Sequence, residues 1–114
     1  MPRSLCLKQR REIEPLLARG RRLQSEAFSI RWQPQESFRY GIFLRGRGST
    51  AVARNRIKRL LREAIRLNRS RLNNPVHLAV LFARKAEDIK FHALDTQIKV
   101  AFDRINAALP HTGE

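Results

Sequence analysis

Cations and one amide recur on one side of a single segment: Arg54, Asn55, Lys58, Arg59, Arg62, Arg66 and Arg69. Guanidinium and ammonium groups at that density hold phosphates through charge-assisted hydrogen bonds, and guanidinium also stacks on bases. On a helix advancing about 100° per residue from Arg54, these side chains fall within roughly 0° to 140°, while Leu67, Leu60, Ala64, Ile57 and Leu61 fill roughly 220° to 340°. One side is built to dock on a core and the other to meet a polyanion. Stacking Arg54, Lys58 and Arg62 at i, i+4 costs a few tenths of a kcal/mol per like-charge pair, and a bound polyanion reverses that cost. A merely solvated face mixes its signs, whereas from Arg45 to Arg71 the only acid is Glu63.

Other chemistry finds little support. His77, His92 and His111 lie far apart with no metal-ligand spacing, and His77 reads as a histidine satisfied within a strand. Glu87 and Asp88 are adjacent acids that more often cap a helix or sit in water than hold a cation. The loop Gly46 to Ser49 lacks the spacing and Lys-Ser/Thr ending of a phosphate-binding P-loop. It reads instead as a loop that lets Arg45 and Arg47 reach phosphate. No catalytic constellation and no protein-bound cofactor or metal is expected.

The elements that must position the basic segment follow from periodicity. Glu12 to Ala18 is predicted to be a short helix, with Ile13, Leu16 and Leu17 on one side, Gly20 as its stop and Pro15 forcing a start near Arg11 or Glu12. Ala27 to Trp32 and Phe38 to Arg45 alternate as strands and suggest a hairpin across the turn Gln33 to Ser37. Phe43 has the opposite parity from Phe38, Tyr40 and Ile42, which makes it a candidate for stacking on a base. Ser49 or Thr50 can cap the basic helix. Val76 to Ala83 is nearly continuous apolar and should be a central strand covered on both faces. Leu94, Ile98, Ala101, Phe102, Ile105 and Leu109 mark a last helix ended by Pro110. The expected fold is α+β, in the order α-β-β-α-β-α, with helices packed on one small mixed sheet.

The 114 residues are expected to form one domain, residues 1 to 114, around a single core. A net charge of +14 points to a nucleic-acid partner. Of the 24 cations, 19 are arginine, and their bidentate, stacking chemistry favours specific contact over solubility alone. Cys6 is the one cysteine, so no internal disulfide forms and a reducing cytoplasm is the expected setting. No membrane partner is expected, because no apolar run approaches the length of a spanning helix.

The run Arg54 Asn55 Arg56 Ile57 Lys58 Arg59 Leu60 Leu61 Arg62 Glu63, after Ala51 Val52 and before Ala64 Ile65 Arg66, resembles the signature helix of the protein subunit of bacterial ribonuclease P. A short first helix ending at Gly20, the strand residues Arg39 Tyr40 Gly41 Ile42 and the strand end Ala83 Arg84 Lys85 fit the same family in order. The resemblance implies a parallel strand pair joined by a left-handed crossover, against the usual rule. It implies ribonuclease P RNA and precursor tRNA as partners, one protein per RNA subunit, with catalysis and Mg²⁺ belonging to the RNA. By position, Arg54, Arg56 and Arg59 would contact that RNA. Asn55, Lys58 and Arg62, with Ile13, Leu17 and Phe43, would line a cleft for the 5′ leader, and Arg45, Arg47 and Arg66 would add phosphate contacts. Ile13 and Leu17 stand where the family usually has aromatics, and Arg45 to Ser49 replaces a lysine-rich segment. The alternatives are a protein of the same fold that binds RNA outside ribonuclease P, or a helix reading duplex DNA; the missing preceding helix disfavours the latter.

Overall fold

In the computed structural model the described residues are 6–7, 9–44, 50–82 and 89–108. Arg45 and Arg47, two of the expected phosphate contacts, lie outside them, as do the loop Gly46 to Ser49, Glu87, Asp88 and His111. Helix α1 spans Arg10–Arg19 and ends where the Gly20 N–H reaches the Leu16 carbonyl. A β-carbon at Gly20 would lie 2.4 Å from that oxygen, so the stop requires glycine. α1 begins at Arg10, earlier than the start near Arg11 or Glu12 expected from Pro15, so Pro15 is its sixth residue and both lacks the hydrogen bond to the Arg11 carbonyl and crowds it.

Three strands follow: β1 at Arg21–Gln24, β2 at Ser29–Pro34 and β3 at Arg39–Leu44. β1 is absent from the expected order, because four residues with only Leu23 buried show no alternation to read. Helix α2 covers Ala51–Asn68 and continues as a single 3-10 turn at Arg69–Arg71. The Thr50 side chain caps it by accepting from the Ala53 N–H at 3.1 Å. β4 at Val76–Phe82 and α3 at Phe91–Ala108 complete the fold.

The sheet order is β1-β2-β4-β3. The hairpin expected between β2 and β3 does not form: β4 lies between them, antiparallel to β2 and parallel to β3. The reason is burial. β4 is the most continuously apolar strand and takes the place where both faces are covered. Gln35 helps the chain step across, its N–H meeting the Pro75 carbonyl at 3.1 Å.

The two faces of the sheet are unlike. Ile30, Trp32, Tyr40, Leu78 and Val80 pack with Ile57, Leu61, Ala64 and Ile65 of α2 and Leu94, Ile98, Phe102 and Ile105 of α3 in the main core. Ala79 turns to the other face and is buried with Leu16 of α1 and Leu7, while Ile13, Leu17 and Phe43 pack around them half-buried. Arg21 secures the far end of α3, with its guanidinium carbon 5.4 Å from the Trp32 ring centre and its N–H on the Ala108 carbonyl. Asn68 is a buried polar side chain of the core, donating at 2.7 Å to both the Ala64 carbonyl and the Asp95 carboxylate. Burial alone would raise the Asp95 pKa, but bonds from Asn68 and Lys99 outweigh it and hold the carboxyl below its ordinary value. Among the described residues no helix is long and apolar enough to cross a membrane.

Candidate nucleic-acid interface

The buried stripe of α2 is rotated from the one expected. Ile57, Leu61, Ala64, Ile65 and Asn68 are buried, while Leu67 is 50% exposed. The packed arc is therefore centred near 320° on the wheel begun at Arg54. The tertiary contacts draw the helix toward Ile65 because α2 must touch both the sheet and α3. That rotation turns Lys58 and Arg62 toward the β3 edge, Arg56 toward the start of α3, and Arg59 straight outward.

At the β3 edge the chain ahead of α1 adds a short parallel pairing, Cys6 beside Tyr40, with the Leu7 N–H 2.8 Å from the Tyr40 carbonyl. Between this segment, β3 and α2 lies a cavity of about 190 Å³ lined by Cys6, Leu7, Tyr40, Gly41, Ile42, Phe43, Lys58 and Arg62. Gly41 determines its shape. A β-carbon there would stand 2.9 Å from the Phe43 ring and 3.6 Å from the Leu7 β-carbon. Without one, the ring folds down on the strand.

Phe43 thus joins two groups of expected cleft residues. On one side it shares the cavity with Lys58 and Arg62, and on the other it packs with Ile13 and Leu17 around the Leu7, Leu16 and Ala79 cluster. Asn55 is exposed on α2 and does not line the cavity. Among the described residues Lys58, Arg59 and Arg62 make no hydrogen bond or ion pair through their side chains. Tyr40 sits beneath with its phenol pKa raised, first by burial and then by the Cys6 thiol, against an opposing effect of Arg62. It remains a neutral hydroxyl.

The other expected contacts are divided. Arg54 donates to the Leu44 carbonyl at 3.4 Å, on the β3 side. Arg56 donates to the Ile89 carbonyl at 2.8 Å, on the α3 side. Arg66 is paired with Glu63, Nε to Oε2 at 3.1 Å, and that hydrogen bond holds the Glu63 carboxyl below its ordinary range. Each guanidinium has five N–H donors, so Arg54 and Arg66 keep more donors than these contacts use.

The sequence reading missed Cys6, Leu7, Tyr40 and Ile42 as walls of this cavity. A glycine inside an alternating strand does mark a close approach, and Gly41 carried that signal. The chain around Leu7 carried none, being too short to show a period. Among the described residues no group of three or more His, Cys, Asp and Glu is placed to hold a metal. Two cations beside one ring suit phosphate and base stacking, and among the described residues no Asp, Glu or His lines the cavity.

The family model for ribonuclease P matches residues 1–106. The ribonuclease P protein component of Finegoldia magna is 29% identical over 99 residues, covering 86% of this chain and 88% of that protein. That of Desulfatibacillum aliphaticivorans is 31% identical over 107 residues, covering 92% and 91%. Among solved structures, the Staphylococcus aureus RNase P protein has a similar fold, with a TM-score of 0.75 at 20% identity over 89% of this chain and 94% of that one.

Proposed function

The chain belongs to the ribonuclease P protein family, and from that premise we propose that it binds the catalytic RNA of ribonuclease P and grips the 5′ leader of precursor tRNA, so that the RNA can remove it. A ribonuclease P protein component is part of an endoribonuclease complex. In this reading the RNA subunit, with Mg²⁺, performs the phosphodiester hydrolysis, one protein serves each RNA, and the complex works in the cytoplasm.

The observation that carries the reading is the cavity in which Phe43, Lys58 and Arg62 meet at the β3 edge. Its two cations have no partner among the described residues, as a site for an external anion requires. A single-stranded leader would run past Asn55, Lys58 and Arg62 with its phosphates on the cations, and would lay a base on Phe43 between Ile13 and Leu17. Aliphatic walls bury a base face without the ring-on-ring attraction of aromatics, so Phe43 supplies most of the stacking. Arg54, Arg56 and Arg59 would take the structured RNA, on α2 surfaces turned outward or toward the flanking loops.

The deciding experiment is cleavage of precursor tRNA by a cognate RNA subunit at low Mg²⁺, with and without this protein. Stimulation is expected; an unchanged cleavage rate would reject the proposal.

A further inference from the structure

A second cavity, of about 630 Å³, opens at the other end of α2, where the 3-10 turn, the β2–β3 turn and the start of β4 converge. Arg69 stands about 10 Å along the helix from Arg62, the nearest α2 residue of the β3-edge cavity, and the two cavities share no lining residue. The Arg69 guanidinium carbon lies 5.0 Å from the Phe38 ring centre. Phe38 is buried and Arg69 exposed, so the cation stands over the ring with solvent on its outer side. Among the described residues Arg69 has no ion pair. The other cations nearby are occupied: Arg39 with Glu12, and Arg71 with Asp103 at 3.2 Å. Glu36, Ser37, Arg39, Asn73 and Asn74 complete the polar lining.

This is unlike the phosphate chemistry at the β3 edge. With Arg39 already paired to Glu12, the Glu36 carboxylate offsets the charge of Arg69 and disfavours phosphate, but it accepts hydrogen bonds from the amino group of a base. The two asparagine amides offer both donors and acceptors, and a guanidinium offers a planar stacking surface for a base. We propose that this cavity holds one unpaired amino-bearing base (adenine, cytosine or guanine) of the RNA partner. The base stacks on the Arg69 guanidinium, gives its exocyclic amine to Glu36 and meets the amides of Asn73 and Asn74. Uracil fits poorly, because its N–H is flanked by two carbonyls that face the carboxylate. The inference rests on the RNA-binding reading above and adds a second, base-selective contact to it.

Adenosine, uridine and inorganic phosphate are each titrated into the full chain with no ribonuclease P RNA present, while the Arg69 Nε–H and the Asn73 and Asn74 side-chain amides are followed by NMR. Adenosine is expected to shift these signals, uridine at least threefold more weakly, and phosphate to leave them unmoved. Arg69→Lys keeps the charge and loses the plane, and Glu36→Gln loses the acceptor; each should weaken adenosine binding at least threefold with an unchanged thermal midpoint. The proposal is overturned if adenosine leaves these signals in place, if phosphate moves them equally, or if Arg69→Lys binds as well as the parent. Failure of the maturation reading is seen separately, in the cleavage assay.

Discussion

On the α3 side of α2, polar side chains are satisfied within the protein: Arg56 reaches the Ile89 carbonyl, and Asn68 joins the Ala64 carbonyl to Asp95. On the β3 side of the same helix, Lys58 and Arg62 line a cavity and meet no anion among the described residues. Both sides have similar residue types and both border the core, so composition does not separate them. What separates them is whether the fold supplies a partner. The α3 side spends its hydrogen bonds on holding two helices together. The β3 side leaves its charge unmet among the described residues, and a bound polyanion would relieve the like-charge cost along Lys58 and Arg62.

The sharpest way to break the comparison is to treat the two sides alike. Replacing Lys58 and Arg62 together by alanine should weaken binding of leader-bearing precursor tRNA by about 3 kcal/mol, since a hydrogen bond to a charged group contributes roughly 1.5–3 kcal/mol. The thermal midpoint should hardly move, as surface substitutions stay within about 0.5 kcal/mol. Affinities for precursor and mature tRNA, measured with the RNA subunit present, check this; equal losses for both would place the two cations outside the leader path. Asn68→Ala should do the reverse. It strips Asp95 of a buried donor and should cost about 1–3 kcal/mol of stability by denaturant titration, while RNA affinity per folded molecule stays unchanged.

How much of this the sequence disclosed depends on the range of each interaction. The polarity of α2 was legible because it is local: one helix, one period, one missing sign of charge. Phe43 was legible through strand parity. The sheet order was not, since a short turn between two alternating strands looks like a hairpin, and only competition for the doubly covered position decides that β4 takes the middle. The rotation of the α2 stripe from Leu67 to Ile65 depends on where α3 docks, which no window within α2 contains. The cavity walls at Cys6 and Leu7 come from a segment more than thirty residues before Tyr40, and such pairing leaves no periodic trace. The family resemblance could name Lys58 and Arg62 but could not place Phe43 against both them and Ile13.

A finer comparison concerns the cations proposed for the structured RNA. Arg56→Ala and Arg59→Ala should each lower the magnitude of the salt slope of RNA-subunit binding by about one, the signature of one lost phosphate contact. Arg56→Ala should in addition cost about 1 kcal/mol of stability, because only it donates to a carbonyl of the protein. Equal stability for the two variants would mean that the Ile89 bond contributes nothing in solution.

The smallest effect expected is at His77, on the α1 face of the sheet beside the Arg39 and Glu12 pair. Burial lowers its pKa; Glu12 works to raise it and Arg39 to lower it. Because the folded pKa lies below the unfolded value of about 6.5, the unfolded chain takes up a proton first as pH falls. Stability contributed by the neutral ring is therefore full above that value, and is lost as pH drops from there through the folded pKa. His77→Gln should flatten this part of the stability profile between about pH 7 and 5, read by denaturant titration at each pH. Asp95 supplies the contrast: its lowered pKa makes its contribution complete above the ordinary carboxylate range and lost only in stronger acid. A loss near pH 6 that survives His77→Gln would have to come from another titrating group, and the α1 side of the sheet would then be less dry around His77 than its packing implies.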